Sequence, residues 1–345
     1  MKSLLLVAPL ALTLGGVAQA QTPPAKMPYR LLHTITVGGE GGWDYLNVDP
    51  AGERLYLSHG SQVEVVDLKT RKVMGTIPNT PGVHGIDVVP SANRGYITCG
   101  RNNTCVVFDL TTLQPIGAPI PTGPKPDALL YDAFSKRVFL FSNTGGKSTV
   151  LNAATGAVEG SAELAGDIEA PATDGKGHIF ANVEDKGEVV EFDAKTLMVH
   201  KRYKLAPGEE PTGLGYDPKT NRLFSACHNE KLIVTDSKTG KQVAVLPIGQ
   251  GVDGAVFDPS RGNVVTSNGS AGTFTVIHQD SPTKYTVVAN MPTAKGARTI
   301  AIDPKTHHLF TCTADYGPTP AVTTENPRPR PSIVPGTFRV LEYGQ

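Results

Sequence analysis

From Trp43 to its C-terminus the chain repeats one pattern seven times: an apolar stretch ending in an Asp-Pro turn, a second stretch often led by Arg, a hairpin, a third stretch closing on D-x-x-T, and a fourth. The turn positions are Asp49, Val89, Asp132, Asp174, Asp217, Asp258 and Asp303, with steps of 40, 43, 42, 43, 41 and 45 residues. A period of about 40–45 residues holds four short strands with their turns, the unit of a propeller blade, and such a unit cannot bury its apolar faces without neighbours. The Asp-Pro pair suits the turn because Asp accepts nearby backbone N–H groups while Pro pre-sets the next φ.

The second stretches read RLYLS from Arg54, RGYIT from Arg94, RVFLF from Arg137, HIFAN from His178, RLFSA from Arg222, NVVTS from Asn263 and HLFTC from His308. They are short, β-branched or aromatic, and fit strands on a half-buried sheet. The third stretches close on DLKT from Asp67, DLTT from Asp109, NAAT from Asn152, DAKT from Asp193 and DSKT from Asp236, where the first side chain is expected to bond forward into its own turn. On LYLS, GYIT and LFTC, and on their repetition between about Thr34 and Tyr343, the chain resembles the YVTN-repeat, YncE-like propellers of bacteria. That resemblance implies a seven-bladed propeller and implies little about activity.

The expected fold class is therefore all-β: a seven-bladed β-propeller of four-stranded antiparallel blades. The last copy runs out after three strands, and the run Tyr29–Val37 has the character of the missing fourth, so the N-terminal strand is expected to complete blade seven and remove an open edge. Residues 1–20 read as a signal peptide, with Lys2, the apolar run Leu4–Leu14 and an Ala18-Gln19-Ala20 cleavage site; the run is too short to span a bilayer. Residues 21–345 are then one propeller domain, periplasmic or secreted.

Without that leader, net charge is about −1 and no basic run appears, which argues against nucleic-acid binding. No second apolar segment argues for membrane insertion. Cys99 and Cys105 bracket a short hairpin, so a disulfide there is geometrically allowed in an oxidising compartment, whereas Cys227 and Cys312 are expected to stay unpaired. The absence of C-x-x-C-H excludes covalent haem, and no paired C-x-x-C suggests structural zinc.

The loops entering strand one and leaving strand two open on the same face of a propeller. Five residues before each turn stand Asp44, His84, Asp127, Glu169, Thr212, Asp253 and Arg298. Six are ionisable, where the 19% charged composition and nine histidines would place about 1.5. Clustered carboxylates repel, and the remedies are a cation such as Ca²⁺, a bridging Arg such as Arg298, raised pKa values or hydration. At the strand-two ends stand His59, Cys99, Ser142, Val183, Cys227, Asn268 and Thr313, with His228 one step on. His59 and His84, from adjacent blades, are candidate ligands for a shared divalent transition metal together with Asp44 or Cys99.

A Pro-rich insertion at 315–335 interrupts blade seven between strands two and three. Long connections of this kind commonly serve as binding loops, and this one is expected to fold across part of the mouth, bringing Arg328 and Arg330 over it. Trp43, the only tryptophan, either stacks on a flat ligand or fills a seam between blades. No G-x-S-x-G, H-E-x-x-H or phosphate loop is present. The sequence thus points to a small molecule, peptide or protein partner bound at the mouth by Trp43, Asp44, His84, Asp127, Glu169, Asp253 and Arg298. The alternative is a metal-dependent hydrolase or lyase, lactonase-like, with His59 or His84 as ligand or base.

Overall fold

Alternation of apolar residues along each strand gives every blade two sticky faces, and a ring of blades satisfies both. The computed structural model describes residues 27–324 and 329–345. It forms seven separate four-stranded antiparallel sheets arranged as a propeller. Blade one is Leu46–Asp49, Arg54–His59, Gln62–Asp67 and Lys72–Ile77, and the next five follow the same order. The helical residues among those described are two short 3-10 turns, Pro90–Ala92 and Glu184–Lys186; no described helix is long and apolar enough to cross a membrane.

Blade seven is assembled from both ends of the chain. Its inner strands Ala301–Ile302 and Leu309–Thr313 lead to Arg339–Gly344, and Arg30–Thr36 pairs antiparallel with that strand as the outer edge, Thr36 opposite Arg339 and Arg30 opposite Gly344. The proposed leader, residues 1–20, lies outside the described residues.

The core is divided into seven apolar clusters, one at each seam. Between blades one and two, Tyr56, Val63 and Ile77 meet Ile86, Ile97 and Phe108; between seven and one, Phe310, Phe338 and Val340 meet Trp43, Leu55 and Leu57. Each fully buried Phe or Leu contributes about 1.5–3 kcal/mol of hydrophobic stabilisation, so every seam depends on both neighbours. The turn acids behave as expected. The Asp67 carboxylate accepts the Thr70 N–H at 2.6 Å, Asp109 those of Thr111 and Thr112 at 2.8 Å, and Asp193 those of Lys195 and Thr196 at 2.9 and 2.6 Å. Asp49, Asp217 and Asp303 serve the Asp-Pro turns the same way.

The repeated Arg at the head of strand two has a role its sequence position did not disclose. Arg54 donates to the carbonyl of Leu110, and Arg137 to those of Ala194 and Lys195 at 3.0 and 2.7 Å, so each reaches the third-strand turn of the next blade. Arg222 reaches the Pro282 carbonyl of blade six at 2.9 Å in the same manner.

The hairpin disulfide does not form: all four cysteines are free and buried. Cys99 stands opposite Thr104 and Cys105 opposite Thr98, so the two side chains leave opposite faces of the sheet. Cys99 enters the seam with blade one and Cys105 the seam with blade three. Burial pushes the Cys99, Cys227 and Cys312 thiols up to about 12, leaving them as packing groups.

Candidate functional site: the channel mouth

The first strands converge on the axis with their entering ends on one face, which gathers side chains far apart in sequence. Asp44 Oδ2 bonds Nδ1 of His84 at 2.6 Å, and Asp127 Oδ1 lies 3.6 Å from the same nitrogen. Arg298 spans two blades: it lies 3.2 Å from Asp44 Oδ1, bonds Asp253 directly, and donates to the Trp43 carbonyl at 2.7 Å. Glu169 accepts a hydrogen bond from the Asn143 side chain. Thr212, the uncharged member of the series, is buried and donates to the Val252 carbonyl at 3.2 Å, a tie between blades five and six.

Tyr45 joins the two sides of this ring. It packs against the apolar cluster of blades three and four, and its hydroxyl donates to Glu169 Oε2 at 3.5 Å, so a blade-one side chain crosses the channel. The signal lay one residue beyond the ionisable series, where the copies hold Tyr45, Gly85, Ala128, Ala170, Gly213, Gly254 and Thr299. Inner strands approach too closely there for bulk; a Cβ at Gly213 would lie 2.7 Å from the backbone of Gly254. Six small residues leave the channel to one large one. Burial, then the charge of Glu169, holds the Tyr45 hydroxyl well above its ordinary range.

Electrostatic relief of the carboxylates is unequal. Burial, reinforced by Asp44, raises Asp127 to about 7 despite the opposing pull of His84. Burial, then Asp127 and Asp253, raises Glu169 to about 10. Burial lifts Asp253 to about 6 against the opposing charge of Arg298. The hydrogen bond that His84 donates to the Asp44 carboxylate raises His84 above its ordinary value, with burial opposing and Asp127 assisting. The mouth therefore stores protons as well as ion pairs.

Two expected metal ligands are not brought to this cluster. His59 is 1% exposed, stacked on Phe338 with centroids 4.4 Å apart, and its Nδ1 lies 3.6 Å from Glu64. The end of its strand tucks beneath Gly39–Gly42 into the seam between blades seven and one, so it cannot share an ion with His84. Cys99 points into the core between blades one and two for the reason of strand alternation given above. Among the described residues two metal-capable groups stand on this face, Asp44 with His84 and Asp127, and Glu184 with Glu210 and His228, the candidate ligand atoms of each lying within 4.8 Å of one another.

Of the two roles the sequence left open for Trp43, seam filling is the one the fold shows. Trp43 is 8% exposed and stacks on Phe338 in the seam, centroids 5.4 Å apart, while also lining a cavity at the mouth. That cavity, about 610 Å³, lies between blades six, seven and one. Trp43, Lys295, Arg298, Tyr316, Arg330 and Ile333 stand in its wall over a floor containing Gly251, Gly269 and Gly296. The insertion supplies one side. Its two ends are clasped by Gly317 N–H to the Ser332 carbonyl and Val334 N–H to the Asp315 carbonyl, both 2.8 Å, and Tyr316 meets Trp43 at 6.2 Å. Arg328 lies outside the described residues. Lys295, three residues before Arg298 in the chain, and Tyr316 had no place among the sequence candidates; the folded insertion brings Tyr316 to the cavity that Lys295 and Arg298 line.

No family model matches the chain, and no curated protein does. Among solved structures it is similar to a chain of the Kuenenia stuttgartiensis hydrazine synthase, with a TM-score of 0.67 and 17% identity over 84% of this chain and 95% of that one. At that identity the likeness extends to the propeller architecture, and the chemistry of the mouth has to be read from its own residues.

Proposed function

We propose that this chain is an exported propeller of the YVTN-repeat, YncE-like kind, periplasmic or secreted, that binds a small organic anion in the cavity between the mouth and the blade-seven insertion. Residues 21–345 form its single domain. One observation carries the reading: three cationic side chains, Lys295, Arg298 and Arg330, share a cavity with the rings of Trp43 and Tyr316. About 610 Å³ suits a small ligand rather than a protein surface. The rings accept a flat apolar body, and the cations accept its carboxylate or phosphate. Asp44 and Asp253 hold Arg298 in position in the cavity wall, while His84 and Asp127 lie outside its lining.

A second reading, a metal-dependent hydrolase or lyase, is favoured by the grouping of Asp44, His84 and Asp127 around one accessible point. One experiment separates the two. Thermal shift and calorimetry are run with small aromatic carboxylates and phosphates, their neutral amides or alcohols, and each set with Zn²⁺ or Ca²⁺. Anion-selective stabilisation without metal, weakened at least tenfold in Lys295→Ala/Arg330→Ala, is the expected result. Equal response to neutral analogues would refute anion binding, and a response that appears only with metal and vanishes in His84→Ala would establish the second reading.

A further inference from the structure

We propose a second, independent site: a zinc-type divalent metal centre on the face opposite the mouth, built by His178, Glu191 and His200 on three adjacent strands of blade four. His178 opens the strand His178–Val183, Glu191 lies in Glu188–Asp193 and His200 in Val199–Lys204. Phe180 is opposite Glu191, so Glu191 shares a face with His178, two residues from Phe180. His200 is the extra residue of a bulge between the pairs Glu191–Lys201 and Phe192–Val199, the device by which a strand re-aims one side chain. One nitrogen or oxygen from each of the three residues falls within 4.8 Å of the other two.

The surroundings suit ligation. Asp174 Oδ2 bonds Nδ1 of His178 at 2.7 Å, and Asp174 is itself held by the N–H groups of Lys176 and His178 at 2.7 and 3.0 Å. This leaves Nε2 of His178 as the outward donor and reproduces the carboxylate–imidazole arrangement that orients metal-bound histidines. Glu191, its side chain 5% exposed, receives the Tyr203 hydroxyl and faces Lys201 Nζ at 3.5 Å through Oε2. Among the described residues its Oε1 takes no hydrogen bond, and it lies 3.9 Å from Nδ1 of His200. His200 makes no hydrogen bond among the described residues, and its ring sits 6.4 Å from that of His178 at 65°.

A cavity of about 160 Å³, also bordered by Lys201 and Lys238, opens beside His178 and Glu191 and gives room for coordinating waters. Both rings are nearly half exposed, at 46% and 42%, so the ion has access. Bonds of about 2.0–2.2 Å require the rings to swing inward by roughly an ångström, which exposed side chains accommodate. Two imidazoles and a carboxylate favour zinc or its neighbours over calcium, which prefers an all-oxygen shell. None of these residues belongs to the mouth, so the site stands whether or not either functional reading does.

The test is titration of untagged, metal-stripped mature chain with Zn²⁺ by calorimetry and with Co²⁺ by visible absorption. The expected outcome, read in the His84→Ala background so that the mouth group contributes no ion, is one ion per chain lost on His178→Ala/His200→Ala, with the absorption bands of cobalt bound to nitrogen and oxygen. His178→Ala/His200→Ala should weaken binding at least 100-fold while circular dichroism stays unchanged, and Asp174→Asn should weaken it about 10–100-fold. His84→Ala should leave this binding intact. Absence of stoichiometric binding, survival of binding in the double variant, or its loss in His84→Ala would each overturn the assignment.

Discussion

Asp127 is a carboxyl folded beside other carboxyls, and the cost depends on pH. Its folded value of about 7 lies above the unfolded one near 4. The native state therefore binds the extra proton between those limits, and stability falls as pH rises through them. His84, also raised, acts with the same sign: its contribution is present below its ordinary value and is lost as pH climbs through the folded one. Asp127→Asn keeps the shape of the protonated acid. Its stability advantage over wild type should grow by about 1–3 kcal/mol between pH 5 and pH 8, read from urea denaturation at both values. A constant difference across that range would show that burial and repulsion do not raise the Asp127 carboxyl. Asp253 cannot be treated in the same way, since it is the direct partner of Arg298 and its removal leaves a partly buried guanidinium with Asp44 alone.

At the scale of the strand and its turn, the repeat works as a set of local locks and inter-blade ties. Turn N–H groups hold Asp67, Asp109 and Asp193 below the usual carboxylate range. That contribution is present above the unfolded value and is lost on acidification, opposite in sign to the mouth. The arginine at the head of strand two joins neighbours: Arg137 carries two carbonyls of blade four and the Glu159 carboxylate at 2.7 Å. Its replacement by Ala should cost about 1–3 kcal/mol in urea denaturation. Lys at the same position should recover only part of the loss, because one ammonium cannot reproduce the fork. Full recovery by Lys would mean that charge alone mattered.

At the scale of the ring, closure by Arg30–Thr36 converts an open arc into a structure without a free end. The strand covers Arg339–Gly344, whose backbone would otherwise present an unpaired edge, while Tyr29 fills the seam between blades six and seven and donates to Asp258 at 3.1 Å. A chain beginning at Val37 should therefore lose its single cooperative melt and form larger species in size-exclusion chromatography. A monomer melting cooperatively near the wild-type temperature would show that closure by this strand is dispensable.

Blade number, strand order and closure were legible because they follow from local chemistry repeated seven times: β-branched alternation, Asp turns and a missing fourth strand. The ionisable series at the mouth was legible for the same reason, since equal register in every copy means equal depth along the axis. Register alone could not say which way neighbouring strands turn their side chains, and so His59 and Cys99 entered seams instead of the mouth. Nor could it reveal that Tyr45 reaches Glu169 across the channel, that Arg298 joins Asp44 to Asp253, or that the insertion sets Tyr316 and Arg330 beside Lys295. These relations exist only when blades distant in sequence close around one axis. The repeat therefore determined the scaffold, while tertiary packing decided which of its irregular residues meet and with what charge.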